Sequence, residues 1–137
     1  MSAFTNIRNA LVAGFRTGAF FSDANTAYEN RTFTPGTAAW AAVHLMPNTP
    51  SATSIGVNGI DEHDGVFQVA IYYPINTGDG AANAKADAIA AVFKAGATFT
   101  SGGQAVVITR TGVGAGRNDA GWYRLTVSIY WRAKVNR

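Results

Sequence analysis

Residues 65–96, GVFQVAIYYPINTGDGAANAKADAIAAVFKAG, constrain this chain more than any other stretch. They predict a strand, a short Pro/Gly loop and an Ala-rich amphipathic helix in direct succession. The strand is expected over 66–73, where β-branched and aromatic residues run between Gly65 and Pro74. Gln68 is its only strongly polar member, so both faces are expected to be covered. Pro74 has no N–H to give to a ladder and ends it. Asp79 is placed to cap the helix. Ala84, Ala88, Ile89, Val92 and Phe93 then form the expected apolar stripe, with Asn83, Asp87 and Lys94 opposite. Gly96 is the expected stop.

The clearest alternation lies in 122–134, WYRLTVSIYWRAK. Tyr123, Leu125, Val127, Ile129, Trp131 and Ala133 share one face of a strand. Trp122, Arg124, Thr126, Ser128, Tyr130 and Arg132 share the other. A strand over 104–110 precedes it, and the glycine-rich residues 112–121 predict a hairpin with a long mobile tip. At the other end, residues 2–16 predict a helix capped by Ser2. Phe4, Ile7, Leu11 and Phe15 recur at helical spacing, with Thr5, Asn9 and Arg16 opposite, and the helix should stop near Gly18. Residues 25–33 (NTAYENRTF) and 40–46 (WAAVHLM) predict two more strands, separated by the turn signal Pro35-Gly36. Pro47-Asn48 then opens a long polar loop through Gly65. A loop that long in a compact chain is uncommon and often functional, although 53–57 could equally extend a hairpin. The two helical stripes need a sheet face, and the apolar side of 122–134 supplies one.

Composition narrows the function. The chain has 137 residues, enough for one domain with a core of its own. It has no Cys, which removes disulfides, thiolate zinc sites and a cysteine nucleophile. Charged residues are 14%, against about 25% in an ordinary globular chain. Two readings fit: small-residue filler, or surface that is buried against other subunits. Net charge is +3 and the basic residues are scattered, only WRAKVNR at 131–137 being locally basic. A dedicated nucleic-acid reader is usually more basic. No signal-peptide pattern opens the chain, and no apolar run approaches the ~20 residues of a spanning helix. The expectation is a soluble protein made in the cytoplasm, with no membrane partner.

Candidate chemistry is sparse. Asp61, Glu62, His63 and Asp64 offer oxygens to a hard cation, but their spacing matches no known loop and they read as a solvated acidic tip. His44 sits among apolar strand residues and reads as a half-buried, hydrogen-bonded histidine. Gly112, Gly114 and Gly116 lack the Lys-Ser/Thr and the helix that a phosphate loop needs. No nucleophile elbow and no Ser/His/Asp set is present. Trp122 and Tyr130, flanked by Arg124 and Arg132 on a polar strand face, suit a protein interface better than a base-stacking surface.

Four segments together resemble the tail terminator (tail completion) proteins of long-tailed phages. They are FTNIRNALVAGF (4–15), WAAVHLMPNTPSATSIG (40–56), GVFQVAIYYPINTGDGAANAKADAIAAVF (65–93) and GWYRLTVSIYWRAKV (121–135). The likeness is one of layout and covers most of the chain. It implies an α+β fold: a single domain over 1–137, with a mostly antiparallel or mixed sheet of about four to five strands and two helices on one face. It implies a ring, usually of about six copies, on the head-proximal end of the tail tube. The ring stops tube growth and offers a joining surface to the head connector and neck proteins, with DNA passing through its lumen. The protein belongs in the virion tail, and in the host cytoplasm during assembly. No catalytic residue, metal or cofactor is implied. Trp122, Arg124, Tyr130 and Arg132 are then candidates for a subunit interface or lumen face. Asn48, Asp61, Glu62, His63 and Asp64 in one loop, and Arg117, Asn118 and Asp119 in the other, are candidate docking elements. Rival readings are another neck ring protein, the tube subunit itself, or a small module that binds a ligand or single-stranded nucleic acid.

Overall fold

The computed structural model describes residues 3–137. The expected cap, Ser2, lies outside them. The elements in chain order are α1 (Ala3–Thr17), a 3₁₀ turn (Asp23–Asn25), β1 (Thr26–Ala27), β2 (Trp40–Pro47), β3 (Ser51–Ala52), β4 (Ile60–Pro74), α2 (Gly80–Val92), β5 (Thr98–Ser101), β6 (Gln104–Val113), β7 (Arg117–Asp119) and β8 (Trp122–Asn136).

Two 15-residue strands form the spine. β4 and β8 pair antiparallel along their whole length, from Ile60 opposite Asn136 to Pro74 opposite Trp122. At about 3.4 Å per residue that ribbon is about 50 Å long. β2 and then β3 run along the free edge of β4, and β6 and then β7 along the free edge of β8. β5 adds to β6, and β1 adds to β2 as the one parallel pair. The sheet is therefore mixed and has eight strands, in the order β1-β2-β4-β8-β6-β5 with β3 and β7 off that path. Four or five strands undercounts it.

The undercount comes from three short strands, β3, β5 and β7, two of them in segments that read as loops. Residues 60–64 continue β4, where Asp61, Glu62, His63 and Asp64 pair with Val135, Lys134, Ala133 and Arg132. A polar run has no hydrophobic period, so nothing in its sequence marks it as strand. The hairpin is indeed extended, but by Ser51–Ala52 opposite Glu62 and Asp61, not by 53–57. Residues 112–121 are likewise no long tip. Arg117, Asn118 and Asp119 form β7, and only Ala120 and Gly121 turn the chain into β8. Both have positive φ, 49° and 85°, the geometry of a two-residue type I′ hairpin turn.

Both helices contribute to one core on one face of the sheet. From α1 come Ile7, Leu11 and Phe15, as spacing predicts, whereas Phe4 is 49% exposed. From α2 come Ala82, Ala86 and Ile89, followed by the capping residue Phe93. The expected stripe is off by part of a turn, since Ala84, Ala88 and Val92 face outward. Alanine occupies every side of this helix, so its sequence does not choose a face. Lys85 helps to choose it, donating from Nζ to the Phe20 carbonyl at 2.9 Å and lying over the Phe21 ring. The helix ends before Gly96, which takes positive φ in the following turn. Against these residues pack Phe67, Val69 and Ile71 of β4 and Leu125, Val127, Ile129 and Trp131 of β8, the alternation read from 122–134.

Residues 25–33 supply only the short β1. The chain leaves the sheet at Tyr28, and the Glu29 carboxylate accepts the Leu45 backbone N–H, a donor on the β2 edge that a longer β1 would have used. No helix among the described residues is long and apolar enough to cross a membrane.

Candidate functional site

The face of β4 opposite the core carries no helix, contrary to the expectation that both sides would be covered. Its residues by register are Trp40, Ala42, His44 and Met46 of β2, Val66, Gln68, Ala70 and Tyr72 of β4, and the polar series of β8. Trp122, Arg124, Tyr130 and Arg132 all stand on this face, spread along its length.

One end is aromatic. Trp40 stacks on its cross-strand partner Tyr72, with ring centroids 4.0 Å apart and planes 6° from parallel. Phe33 lies 5.0 Å from Trp40 on another side, and Trp122 meets Trp40 edge-on at 6.0 Å. Such pairs add about 0.5–1.5 kcal/mol each beyond their buried area. Arg124 closes the cluster, its guanidinium 5.9 Å from the Tyr72 ring and 3.8 Å from Asp119. The indole N–H of Trp40 and Nε of Arg124 are buried without a partner. Trp122 is thus tied into its own chain and is not a free anchor. Phe33 and Trp40 were not singled out from sequence. The signal was the alternation of 40–46 against 66–73, which sets Trp40 opposite Tyr72 once the two strands are paired.

The middle of the face is small and polar. Ala42, Gln68 and Ala70, with Tyr28 and Glu29 at the edge, line a shallow depression of about 330 Å³, into which Arg124 and Tyr72 also reach. His44 stands beside it, more than half exposed, with Nδ1 3.4 Å from Glu29. It is not the half-buried histidine expected. At the far end the Arg110 guanidinium sits 4.0 Å over the Tyr130 ring. Arg132 faces Asp64, and Lys134 faces Glu62, across the β4–β8 ladder. The acidic segment is thus set against basic residues on the neighbouring strand. Asn48 lies between β2 and β3 and donates its backbone N–H to the Asp64 carbonyl at 2.9 Å.

Beyond β3 the chain projects a tight loop, residues 53–59. Ile55 is 95% exposed and Val57 86%. The loop is nonetheless fastened. Its base closes through Thr53 N–H to the Ile60 carbonyl, and the Gly59 carbonyl accepts the Arg137 N–H, each at 2.9 Å. The Arg137 guanidinium reaches the carbonyls of Ser54, Gly56 and Ile60 and pairs with Asp61. Gly59 allows this approach, since a Cβ there would lie 2.0 Å from Arg137 Nη2. Sequence reasoning marked this region as a docking loop through its acidic residues. Asn48 and Asp64 are exposed, and the aliphatic pair flanking Gly56, which that reading did not single out, stands out further.

A second polar cluster lies between α1 and the segment after β1. Arg16 Nη2 sits 2.7 Å from Asp23, and the Tyr28 hydroxyl donates to the other oxygen of the same carboxylate at 2.7 Å. These bonds hold the Asp23 carboxyl below its ordinary range, the Tyr28 contact contributing most. Burial, and then the Asp23 contact, raise the Tyr28 phenol above its own. Arg8 and Arg31 line the same cavity of about 520 Å³. Among the described residues no group of three His, Cys, Asp or Glu side chains converges on a point where a metal ion would sit.

A family model described as phage tail terminator protein matches residues 6–131, from α1 through most of β8. Solved structures match as well. One superposes with a TM-score of 0.78 at 23% identity, covering 97% of this chain and 96% of that one, a likeness that speaks to the fold alone. No curated protein matches.

Proposed function

The chain belongs to the phage tail terminator family, and we propose that it closes into a ring of about six copies on the head-proximal end of the tail tube. There it stops tube polymerisation and offers the joining surface for the head connector and neck proteins. The match across 6–131 carries this reading, because it spans both helices and nearly the whole sheet. The family is a structural component of phage tails, which puts the protein in the virion. Its action is steric. One face of the ring copies the interface that the tube subunits present to one another and the other face does not, so growth ends.

The geometry supports such a part. A ring of identical copies needs two different patches per subunit that fit each other. This chain has an uncovered sheet face and, at a distance from it, a projecting apolar loop. Arg124 is engaged with Tyr72 and Asp119, so Arg132 and Lys134, both exposed, are the better candidates for a basic lumen along which DNA passes. The whole of 1–137 acts as one unit in this reading.

The test is capping. Tail tube protein is polymerised with and without this chain, and tube lengths are measured in negative stain beside the mass of the chain alone. Short tubes with a ring at one end, and a closed ring that never elongates, are expected. Filaments of this chain alone would make it a tube subunit. A monomer that leaves tube length unchanged would overturn the reading.

A further inference from the structure

Basic residues that are scattered in sequence gather at one place in the fold. Three of the eleven Lys and Arg residues, Arg8, Arg16 and Arg31, line the cavity of about 520 Å³ between α1 and the segment after β1. Arg8, Val12 and Arg16 fall at i, i+4 and i+8 of α1, a single stripe about 12 Å long at about 1.5 Å per residue. Arg31 lines the cavity from the facing segment. Val12 and Thr26, both buried, close its base. Asp23 is the one carboxylate in the lining, and both its oxygens are engaged, one by Arg16 and one by the Tyr28 hydroxyl. Glu29 lines the neighbouring groove and is engaged there, accepting the Leu45 N–H and lying 3.4 Å from His44. Among the described residues the Arg8 side chain is bonded to Asn9 alone, and neither Arg8 nor Arg31 forms an ion pair. Two guanidinium groups therefore share one cavity without a carboxylate bound to either.

We propose that this cavity binds a phosphate group, held by Arg8 and Arg31 and either free or carried on a nucleic-acid backbone. The site is complete within one subunit, so it does not rest on the ring reading. Guanidinium forks match phosphate oxygens two at a time. Two unpaired positive charges match one phosphate dianion or two successive phosphodiesters, whereas a single carboxylate would leave one charge unmatched. Thr32 and Thr34, exposed on the same lining, add hydroxyl donors. The Arg16–Asp23–Tyr28 contacts brace the cavity wall without any ligand, so little ordering is lost on binding. The local field is already positive. The Asp23 carboxyl is held below its ordinary range by the Tyr28 hydrogen bond first, then by that of Arg16, with Arg31 acting on it through space. The volume lies within the roughly 300–1,000 Å³ of small-molecule sites, which leaves room for the body that carries the phosphate.

Inorganic phosphate is the first probe, titrated into the full chain at constant ionic strength. Phosphate at about ten times its dissociation constant should raise the melting temperature by about 3–6 °C. Arg8→Gln and Arg31→Gln change exposed side chains and should leave the unliganded melting temperature as it is. Each should weaken phosphate binding by about tenfold or more, the worth of a charge-assisted hydrogen bond. The double variant should keep only the small rise that an excluded salt gives any protein. Lys94→Gln, exposed and outside the cavity, should respond as the wild type does. No shift in the wild type, or an equal shift in the double variant, would overturn the site. A short single-stranded DNA then separates the two sources. DNA that displaces phosphate and needs both arginines assigns the site to a nucleic-acid backbone. DNA that does neither, while phosphate still needs both, assigns it to free phosphate or a small ester. A glutamate-rich peptide that displaces phosphate more readily than DNA does would overturn the phosphate reading in favour of an acidic protein partner. None of these readouts depends on assembly, so the site can fail and leave the ring standing.

Discussion

Tyr130 and Trp131 are neighbours in sequence and stand on opposite faces of β8, so truncating each in turn measures what each face is for. Trp131 is 1% exposed and packs in the core. Its indole N–H has no partner, so Trp131→Ala removes packing and no hydrogen bond. Such a change costs about 3–5 kcal/mol. A chain of this size has roughly 7–20 kcal/mol in total at about 0.05–0.15 kcal/mol per residue, so Trp131→Ala should lower the melting temperature by roughly 10–20 °C. Tyr130 is half-exposed and its specific contact is with Arg110, worth about 0.5–1 kcal/mol at such a site. Tyr130→Ala should therefore shift the melting temperature by less than about 5 °C. Its larger effect should be on assembly, since an aromatic over an arginine on an uncovered face is what interfaces use. The assay is thermal unfolding followed by tryptophan fluorescence, at a concentration where mass measurements show monomer, because association would add its own stabilisation. Equal loss of monomer stability in the two variants would mean that the second face is also core, and the assignment of the faces would fail.

Three further outcomes follow from the geometry. Ala120 holds positive φ in the β7–β8 turn without being glycine. Ala120→Asn should stabilise the protein by about 0.5–1 kcal/mol in urea titration, and no gain would refute the type I′ assignment. Asp23 has a depressed pKa when folded. Its contribution is therefore fully present above its unfolded value and is lost as pH falls through the lower folded one, below about 4. Asp23→Asn should melt earlier than wild type at pH 7 and together with it near pH 2, and a gap that persists at acid pH would sink the linkage. Arg137→Ala should speed amide exchange at Thr53 and Gly59 by about tenfold or more, with Val69 and Val127 unchanged. Uniform acceleration would show that the loop is part of the global unit.

What was legible in the sequence was whatever carried a hydrophobic period. The faces of 122–134, the α1 stripe from Ile7 to Phe15 and the Pro74 stop all rest on apolar residues at fixed spacing, and all stand in the structure. Three things were not legible, each for a physical reason. The orientation of α2 was lost because alanine on every side leaves no contrast between faces. The extension of β4 through Asp61–Glu62–His63–Asp64 was lost because its pairing is backbone hydrogen bonding with Val135, Lys134, Ala133 and Arg132, which side-chain identity does not report. Strand β7 was hidden by its brevity and by the glycines before it, although Ala120-Gly121 ahead of a strong strand is itself a weak hairpin signal. Trp122, Arg124, Tyr130 and Arg132 could be placed on one face from sequence because they share the polar phase of β8. Trp40 and Tyr72 needed a register, and Ile55 and Val57 needed a solvent exposure, that no single segment contains.

The low charge that composition left with two explanations can now be divided between them. Small-residue filler accounts for α2, where Ala81, Ala84 and Ala88 are exposed and cost little by facing water. It does not account for Ile55 at 95% exposure or Val57 at 86%, carried on a loop that the Arg137 side chain holds in place. Scattered exposed aliphatics need no explanation, but a braced pair on a projection does. Nor does filler explain a sheet face carrying Trp40, Tyr72, Trp122 and Tyr130 with no helix over it. Folding uses one face of the sheet and is complete without the other, because the core closes on a single side. The monomer can therefore form first and keep its second face and its loop in reserve. That order suits a structural component of a phage tail, whose assembly must not be a by-product of folding but must wait for its partners to meet.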